Sequence, residues 1–274
     1  MRTKNYLLMV LIMIIGWSCI NRQSGIPVVF PEVNEPVQVT KNGKEHLFAS
    51  YYGINSWSKS ERYVTVLETG KAKLIVSISQ IKNMVPEIPK EGIEYFNHTL
   101  FSRGGSKIFW LARAIPNRNT TAFTVNRDGS NIQRCFPDNW GGSHFDWLND
   151  DELMITASYV GKHSAHILFT VGEQNYKRLG NGLLDYDGHG TFSPDGKWMV
   201  TDTYPTKGMR EQKIYLMDME TQAVLPLGRF IEPKEFSGFW RCDIHCRWSP
   251  RGDMIGFNST YSGSRQVYVF KLIH

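Results

Sequence analysis

Residues 184–205 read LDYDGHGTFSPDGKWMVTDTYP, and this stretch sets a pattern that recurs along the chain. It is predicted to form a β-strand, a tight turn and a second strand, because Pro194-Asp-Gly196 supplies the backbone freedom that a short connection needs. His189 lies ahead of the first strand, three residues before the aromatic Phe192. The predicted unit is therefore a β-hairpin that begins with a histidine.

The same frame of a histidine, an aromatic residue three positions later, a turn and an apolar run occurs elsewhere in the chain. A fifth copy has Ile54 in place of the histidine. The others begin at His98, His144, His189 and His245. The aromatic residues are 44, 46, 45 and 56 positions apart, at Trp57, Phe101, Trp147, Phe192 and Trp248. Repeats of this length predict an all-β domain with the architecture of a β-propeller, and five copies predict five blades.

The last repeat is short, because the chain stops after three candidate strands. A propeller closes best when its first and last blades share strands, since closure removes an exposed sheet edge. Residues 37–40 are therefore predicted to supply the missing outer strand of the last blade. No window of twelve or more residues shows convincing helical periodicity, which also favours an all-β domain.

The first residues have the composition of an export signal. Arg2 and Lys4 precede an apolar run at residues 6–15 that is too short to span a membrane comfortably. The following residues, Gly16 to Cys19, resemble the lipobox of bacterial lipoproteins, in which the cysteine becomes the lipidated first residue. An uncleaved anchor or cleavage elsewhere are the alternatives.

These features predict the domain organisation and location of the protein. We expect a signal peptide at 1–18, a lipidated Cys19, a tether at 19–36 and the propeller domain at 37–274. The protein would then be exported to the periplasm or the outer membrane, where only a lipid anchor would attach it to the membrane.

The overall composition is that of a folded globular protein, with 41% hydrophobic and 21% charged residues. The net charge of +5 is scattered, and no basic run carries interleaved aromatic residues, so no nucleic-acid partner is expected. The cysteines after Cys19 fit neither a haem-attachment nor a zinc motif. We expect at most one disulfide and interpret them as small buried residues: Cys135, Cys242 and Cys246.

The repeated histidines are the main functional signal. In a propeller the innermost strands run in one direction beside a central channel, so equivalent positions form a ring at one height. Neutral imidazoles suit Mn, Fe, Zn, Ni or Cu. The ring could hold a metal, bind an anionic ligand directly or serve the structure. Its members are His98, His144, His189 and His245. The aromatic residues three positions later should face away and pack between blades.

Polar residues accompany this ring. Asp187 and Asp243 each lie two positions before a ring histidine, where a carboxylate would either orient a metal-binding imidazole or end a strand. Three arginines are candidates for clamping a carboxylate, because a guanidinium can bind one with two hydrogen bonds. They are Arg113, Arg241 and Arg265.

The motifs around the histidines resemble those of exported bacterial propellers related to oligogalacturonate lyase. The resemblance covers roughly residues 45–272 and depends most on Asn97-His-Thr-Leu-Phe-Ser, Ser143-His-Phe-Asp-Trp, Asp187-Gly-His-Gly-Thr-Phe-Ser-Pro-Asp-Gly and Asp243-Ile-His-Cys-Arg-Trp-Ser-Pro-Arg-Gly. It implies a divalent metal, manganese in that family, held by three histidines and a glutamine. It also implies β-elimination of uronic-acid glycans, in which the metal polarises the uronate carboxylate, a base removes the C5 proton and the C4 oxygen leaves.

The resemblance places His189 and His245 first among the metal ligands, followed by His98 and His144. Arg241 and Asp243 are the candidate catalytic residues, and Arg113 and Arg265 are candidates for binding an acidic oligosaccharide.

The chain departs from this family in two ways. Such relatives usually have about seven blades, and the two that are missing here would fall at residues 71–94. No glutamine precedes His245 in the expected place. Two functions therefore remain open: a metal-dependent lyase, or a non-catalytic envelope propeller that binds glycan or a protein partner. A monomer is expected in either case.

Overall fold

A computed structural model describes residues 19–20, 27–38, 63–68, 71–85, 92–114, 120–136, 140–159 and 163–273. The predicted signal peptide at 1–18 and the repeat around Trp57 lie outside these residues. The regular secondary structure of the described part is almost entirely β-strand, as the repeats predicted. In that part, no helix is both long and apolar enough to cross a membrane.

The N-terminal part contains short strands and the one α-helix of the described residues. The elements are β1 (Cys19–Ile20), β2 (Pro27–Val28), β3 (Glu32–Val33), β4 (Val37–Gln38), β5 (Tyr63–Glu68), β6 (Lys71–Ser77) and α1 (Ile78–Lys82). β1 pairs with β2, and β5 pairs with β6. A capping box begins α1, because the Ser77 hydroxyl accepts from the Gln80 amide while the Gln80 side chain accepts from the Ser77 amide. β6 and α1 occupy the region where the larger relatives were expected to carry further blades.

Three repeats each form a four-stranded antiparallel sheet whose strands pair in chain order. The His98 sheet contains β7 (Ile93–Phe101), β8 (Lys107–Ala114), β9 (Thr120–Asn126) and β10 (Gln133–Arg134). The His144 sheet contains β11 (Phe145–Trp147), β12 (Glu152–Tyr159), β13 (His163–Thr170) and β14 (Lys177–Arg178). The His189 sheet contains β15 (Thr191–Phe192), β16 (Trp198–Asp202), β17 (Glu211–Asp218) and β18 (Val224–Ile231). Single 3-10 turns lie at Gly180–Gly182 and Gly238–Trp240.

The His245 sheet combines the two ends of the described chain. Its own strands are β19 (Arg247–Trp248), β20 (Met254–Ser259) and β21 (Gln266–Ile273). β4 pairs with β21 through Val37 and Val269, so it lies in the position predicted for residues 37–40. β3 also pairs with β21, through Val33 and Leu272, so the pairing begins inside the segment that was predicted to be a tether.

The aromatic residues of the repeats differ in burial. Trp147 and Phe192 are fully buried, and Trp248 is half-buried with its indole nitrogen donating to the Thr191 carbonyl at 3.1 Å. Phe101 was predicted to be core and is instead 37% exposed, because it ends β7 beside a turn in which Arg103, Gly104 and Ser106 are exposed. The three cysteines are buried thiols, which agrees with their interpretation as small packing residues.

Trp147 and Phe101 occupy corresponding positions but should contribute unequally to stability. Trp147→Ala should lower the free energy of unfolding by about 3–5 kcal/mol, because it removes a buried ring and leaves a cavity. Phe101→Ala should cost about 1 kcal/mol or less. Urea unfolding followed by circular dichroism measures both values. Equal losses in the two variants would contradict the different packing of these residues.

Candidate functional site

Three of the four repeated histidines lie side by side. His144, His189 and His245 each stand one or two residues before the innermost strand of their sheet. The ring centroids of His144 and His189 are 3.9 Å apart, and those of His189 and His245 are 3.8 Å apart. His98 lies within β7, with its ring edge-on to Phe145 at 5.9 Å. The structure therefore places three predicted ring members in contact and His98 beside them.

Asp202 organises two of these histidines from behind. It ends β16 and its side chain is 1% exposed. One carboxylate oxygen accepts from both the backbone amide and Nδ1 of His189, at 2.9 and 2.8 Å. The other accepts from the His245 amide at 2.7 Å. Burial alone would raise the pKa of Asp202, but the adjacent His189 outweighs it and the pKa lies below its usual range. Asp202 therefore remains a carboxylate that orients both residues.

The backbone at the site is tightly constrained. Gly188 passes so close to β16 that a Cβ there would lie 2.1 Å from the Asp202 carbonyl oxygen, so only glycine fits before His189. His245 adopts a left-handed conformation with φ of 50°, and His98 does so with φ of 59° in a bulge of β7. Such conformations cost about 1–3 kcal/mol for residues other than glycine and concentrate at functional sites.

His189, His245 and Asp243 form a group that fits a metal ion. One ligand atom from each lies within 4.8 Å of the other two. Because Asp202 takes Nδ1 of His189, Nε2 is the nitrogen left to face the site. Burial lowers the pKa of His245 to about 4, so its imidazole is neutral near pH 7. Two imidazoles and a carboxylate are a typical donor set for a divalent transition metal.

Tyr204 connects the histidines on the open side of the group. Its hydroxyl lies 3.0 Å from Nε2 of His144 and 3.5 Å from Nε2 of His189. Asp187 lies 3.5 Å from the same nitrogen of His144 and accepts from the Ser143 hydroxyl at 2.6 Å. Burial, followed by the charge of Asp187, raises the pKa of Tyr204, so the phenol keeps its proton. Burial, followed by His189, lowers the pKa of His144 to about 2.

The three candidate arginines have different surroundings. Arg241 donates to both carboxylate oxygens of Asp243, at 2.6 and 2.9 Å, and its guanidinium lies over the Tyr204 ring at 4.7 Å. Arg113 donates to the Asn97 side chain at 3.1 Å and lies close enough to His98 to lower its pKa further, after burial, to about 4. Arg265 donates to backbone carbonyls of the loop before Cys242. Of the three, Arg241 is the one that contacts the histidine and aspartate group.

Two site residues were missed by sequence reasoning. Asp202 lies three positions beyond the β16 residue that pairs with Phe192, and the corresponding residues of the other three sheets are Leu111, Thr156 and Asn258. A carboxylate at this buried position occurs in the His189 sheet alone among these four. That difference between repeats was the available signal. Tyr204, two residues further on, carried no comparable signal.

His166 is not one of the four repeated histidines and lies fully buried behind the site. Its Nδ1 faces the Leu184 carbonyl at 3.0 Å, and its Nε2 faces the Thr201 hydroxyl at 2.8 Å. A carbonyl can only accept, so Nδ1 carries the proton and Nε2 accepts from Thr201. Burial lowers the pKa of His166 to about 4, so the ring is neutral near pH 7 and the Thr201 hydroxyl is the donor to Nε2.

The pKa of His166 predicts a loss of stability in acid. Its unfolded pKa is about 6.5, so its contribution is complete above that pH and is lost as the pH falls toward 4, by roughly 3 kcal/mol in all. His166→Asn should therefore flatten the dependence of unfolding free energy on pH between 6.5 and 4. Urea titrations at several pH values measure the slope. An unchanged slope in the variant would contradict a neutral buried His166.

Comparison with known proteins shows a distant likeness of fold. No family model and no curated protein matches the chain. A solved oligogalacturonate lyase from Vibrio parahaemolyticus aligns over 74% of this chain with 15% identity and a TM-score of 0.54, and the chain spans only 52% of its length. A manganese complex of an oligogalacturonate lyase aligns over 78% of this chain and 73% of its own, with 13% identity and a TM-score of 0.49. A gluconolactonase from Xanthomonas campestris aligns over 78% and 66%, with 14% identity and a TM-score of 0.45. At 15% identity the likeness to the Vibrio parahaemolyticus structure supports a propeller-like fold and says nothing about the activity.

Proposed function

We propose that this protein is a metal-dependent, glycan-active propeller that cleaves acidic oligosaccharides by β-elimination. The observation that carries the proposal is the convergence of His189, His245 and Asp243 within 4.8 Å, with Asp202 orienting both histidines. A scaffold without a ligand has no need for neighbouring imidazoles beside a carboxylate. We also propose that the propeller has five blades and that the metal ion is manganese.

The donor set determines what the ion would supply. His189, His245 and Asp243 would hold it, and it would polarise the carboxylate of a uronate and so acidify the C5 proton. Asp243 and Arg241 were predicted to be candidate catalytic residues. The place of Asp243 among the donors makes it a ligand in this proposal, with Arg241 holding its two oxygens.

Tyr204 and His144 would carry out the two proton transfers of the reaction. Tyr204 keeps its proton and suits the role of donor to the departing C4 oxygen. His144 is neutral and lies against both Tyr204 and His189, and it is our candidate for accepting the C5 proton. Its low pKa makes it a weak base in the free protein, and the negative charge of a bound uronate would strengthen it.

Arg241 is the proposed contact for the substrate carboxylate. A guanidinium stays charged and can bind a carboxylate through two parallel hydrogen bonds. Its bond to Asp243 raises the pKa of Arg241 still further. Arg113 and Arg265 contact protein groups, so we assign them to supporting the site.

The second candidate is a non-catalytic propeller that binds an acidic glycan or a protein partner. The pairing of Arg241 with Asp243 favours it, because that pairing competes with uronate for the guanidinium. In either case we propose export through the signal at 1–18, lipidation at Cys19 and a monomer at the periplasmic or outer-membrane face.

Metal binding provides the first test. His189→Ala should weaken Mn²⁺ binding by more than about a hundredfold, and Asp202→Asn by about ten- to a hundredfold, because loss of an orienting partner costs that much. Asp195→Asn removes an exposed turn carboxylate and should leave affinity unchanged. Calorimetric titration and elemental analysis measure binding. If all three variants bound Mn²⁺ with the same affinity as the unmodified protein, the proposed metal site would be rejected.

Activity provides the second test. Purified protein incubated with saturated oligogalacturonate should produce an unsaturated product that absorbs ultraviolet light, but only when Mn²⁺ is present and His189 is intact. Binding of the oligosaccharide without a rise in absorbance would favour the non-catalytic alternative. Absence of both binding and absorbance would reject an acidic glycan as the ligand.

A further inference from the structure

Two aromatic side chains project into solvent beside the candidate site. Phe239 is fully exposed and Trp240 is 68% exposed, although large aromatic residues usually bury most of their surface. Both lie in the 3-10 turn Gly238–Trp240, directly before Arg241. Exposed apolar groups that adjoin polar residues often mark a binding surface.

The loop that carries these rings is anchored at its base. The buried carboxylate of Glu232 pairs with Arg210 and accepts from the Cys242 amide at 2.7 Å. The Gln212 side chain donates to the Cys242 carbonyl at 3.0 Å, and Arg210 also donates to the Phe236 carbonyl at 2.5 Å. Both ends of the segment between Glu232 and Cys242 are therefore held to the sheet.

A second anchor lies directly under the aromatic residues. Arg265 donates through Nη2 to the Trp240 carbonyl at 2.7 Å and to the Arg241 carbonyl at 3.2 Å. The backbone of Trp240 is thus fixed while its indole ring stays outside. Exposed rings on a fixed backbone lose little conformational entropy when a ligand binds, which favours recognition.

We propose that Phe239 and Trp240 form a stacking platform for a sugar ring of an oligosaccharide whose neighbouring uronate occupies the metal-binding group. This inference rests on the proposed function and extends it to a second subsite. The platform directly precedes Arg241 and Asp243 along the chain, so one loop carries both the aromatic rings and the charged residues.

A pyranose ring fits this platform better than the other ligands that an exposed pair of aromatic side chains could bind. One face of the ring presents C–H groups that pack on an aromatic surface, and its hydroxyl edge remains in water. The nearby positive charges of Arg241 and Arg265 match the carboxylates of a uronate chain. Two side chains also offer far less area than a stable protein interface requires.

The platform predicts a dependence on glycan length. Trp240→Ala should weaken binding of a galacturonate trisaccharide about five- to tenfold and leave binding of the monosaccharide unchanged, because only the longer ligand reaches the platform. Phe239→Ala should have a similar or smaller effect. Phe101→Ala is the matched control, since it removes another exposed phenylalanine on a different sheet. Titration calorimetry measures the affinity of each variant for both glycans, with and without Mn²⁺, under conditions in which the glycan is not cleaved.

The outcomes separate the platform from the metal-dependent function. Metal binding and lyase activity with no loss of trisaccharide affinity in Trp240→Ala would reject the platform alone. Loss of trisaccharide affinity in Trp240→Ala, in a protein that binds no metal, would support the platform and reject the lyase. Trp240-dependent self-association in sedimentation, or Trp240-dependent binding to anionic vesicles, with no effect on glycan binding, would show another occupant and overturn the inference.

Discussion

The buried carboxylate of Asp202 is the interaction on which the arrangement of the site depends. A charge taken out of water is costly unless hydrogen bonds replace its hydration. Here the two oxygens accept from His189 Nδ1 and from the amides of His189 and His245. The same bonds choose the His189 tautomer, aim its other nitrogen at the site and hold His245 in a left-handed conformation. The same hydrogen bonds therefore orient the donor side chains and compensate the buried charge of Asp202.

The fold was largely predictable because propeller repeats are short and similar. The strand–turn–strand frame depends on local turn residues and on apolar alternation, so the four repeats that begin with a histidine could be placed from sequence. The pairing of Val37–Gln38 with β21 was predictable from the need to cover an edge. The additional pairing of Glu32–Val33 was not, because two residues carry too little pattern to indicate a strand.

The site was predictable only in part. A repeated position identified His144, His189 and His245 as neighbours, since equivalent residues of successive sheets come together. Asp202 could not be predicted from the repeat pattern, because the corresponding residues of the other sheets are not carboxylates. The roles of the arginines were also beyond sequence, because Arg265 and Arg241 are close in space yet hold different groups.

The attachment of the N-terminal strands to β21 has a consequence for the order of folding. The Tyr268 hydroxyl donates to Gln38 at 3.4 Å across 230 positions of the chain, whereas each of the three four-stranded sheets is built from consecutive strands. Contacts of such high sequence separation form late, because loop-closure entropy must be overcome before they stabilise the chain. During synthesis β3 and β4 cannot make these pairs until β21 has been made. We expect the consecutive sheets to form first and the edge of β21 to be the last surface covered.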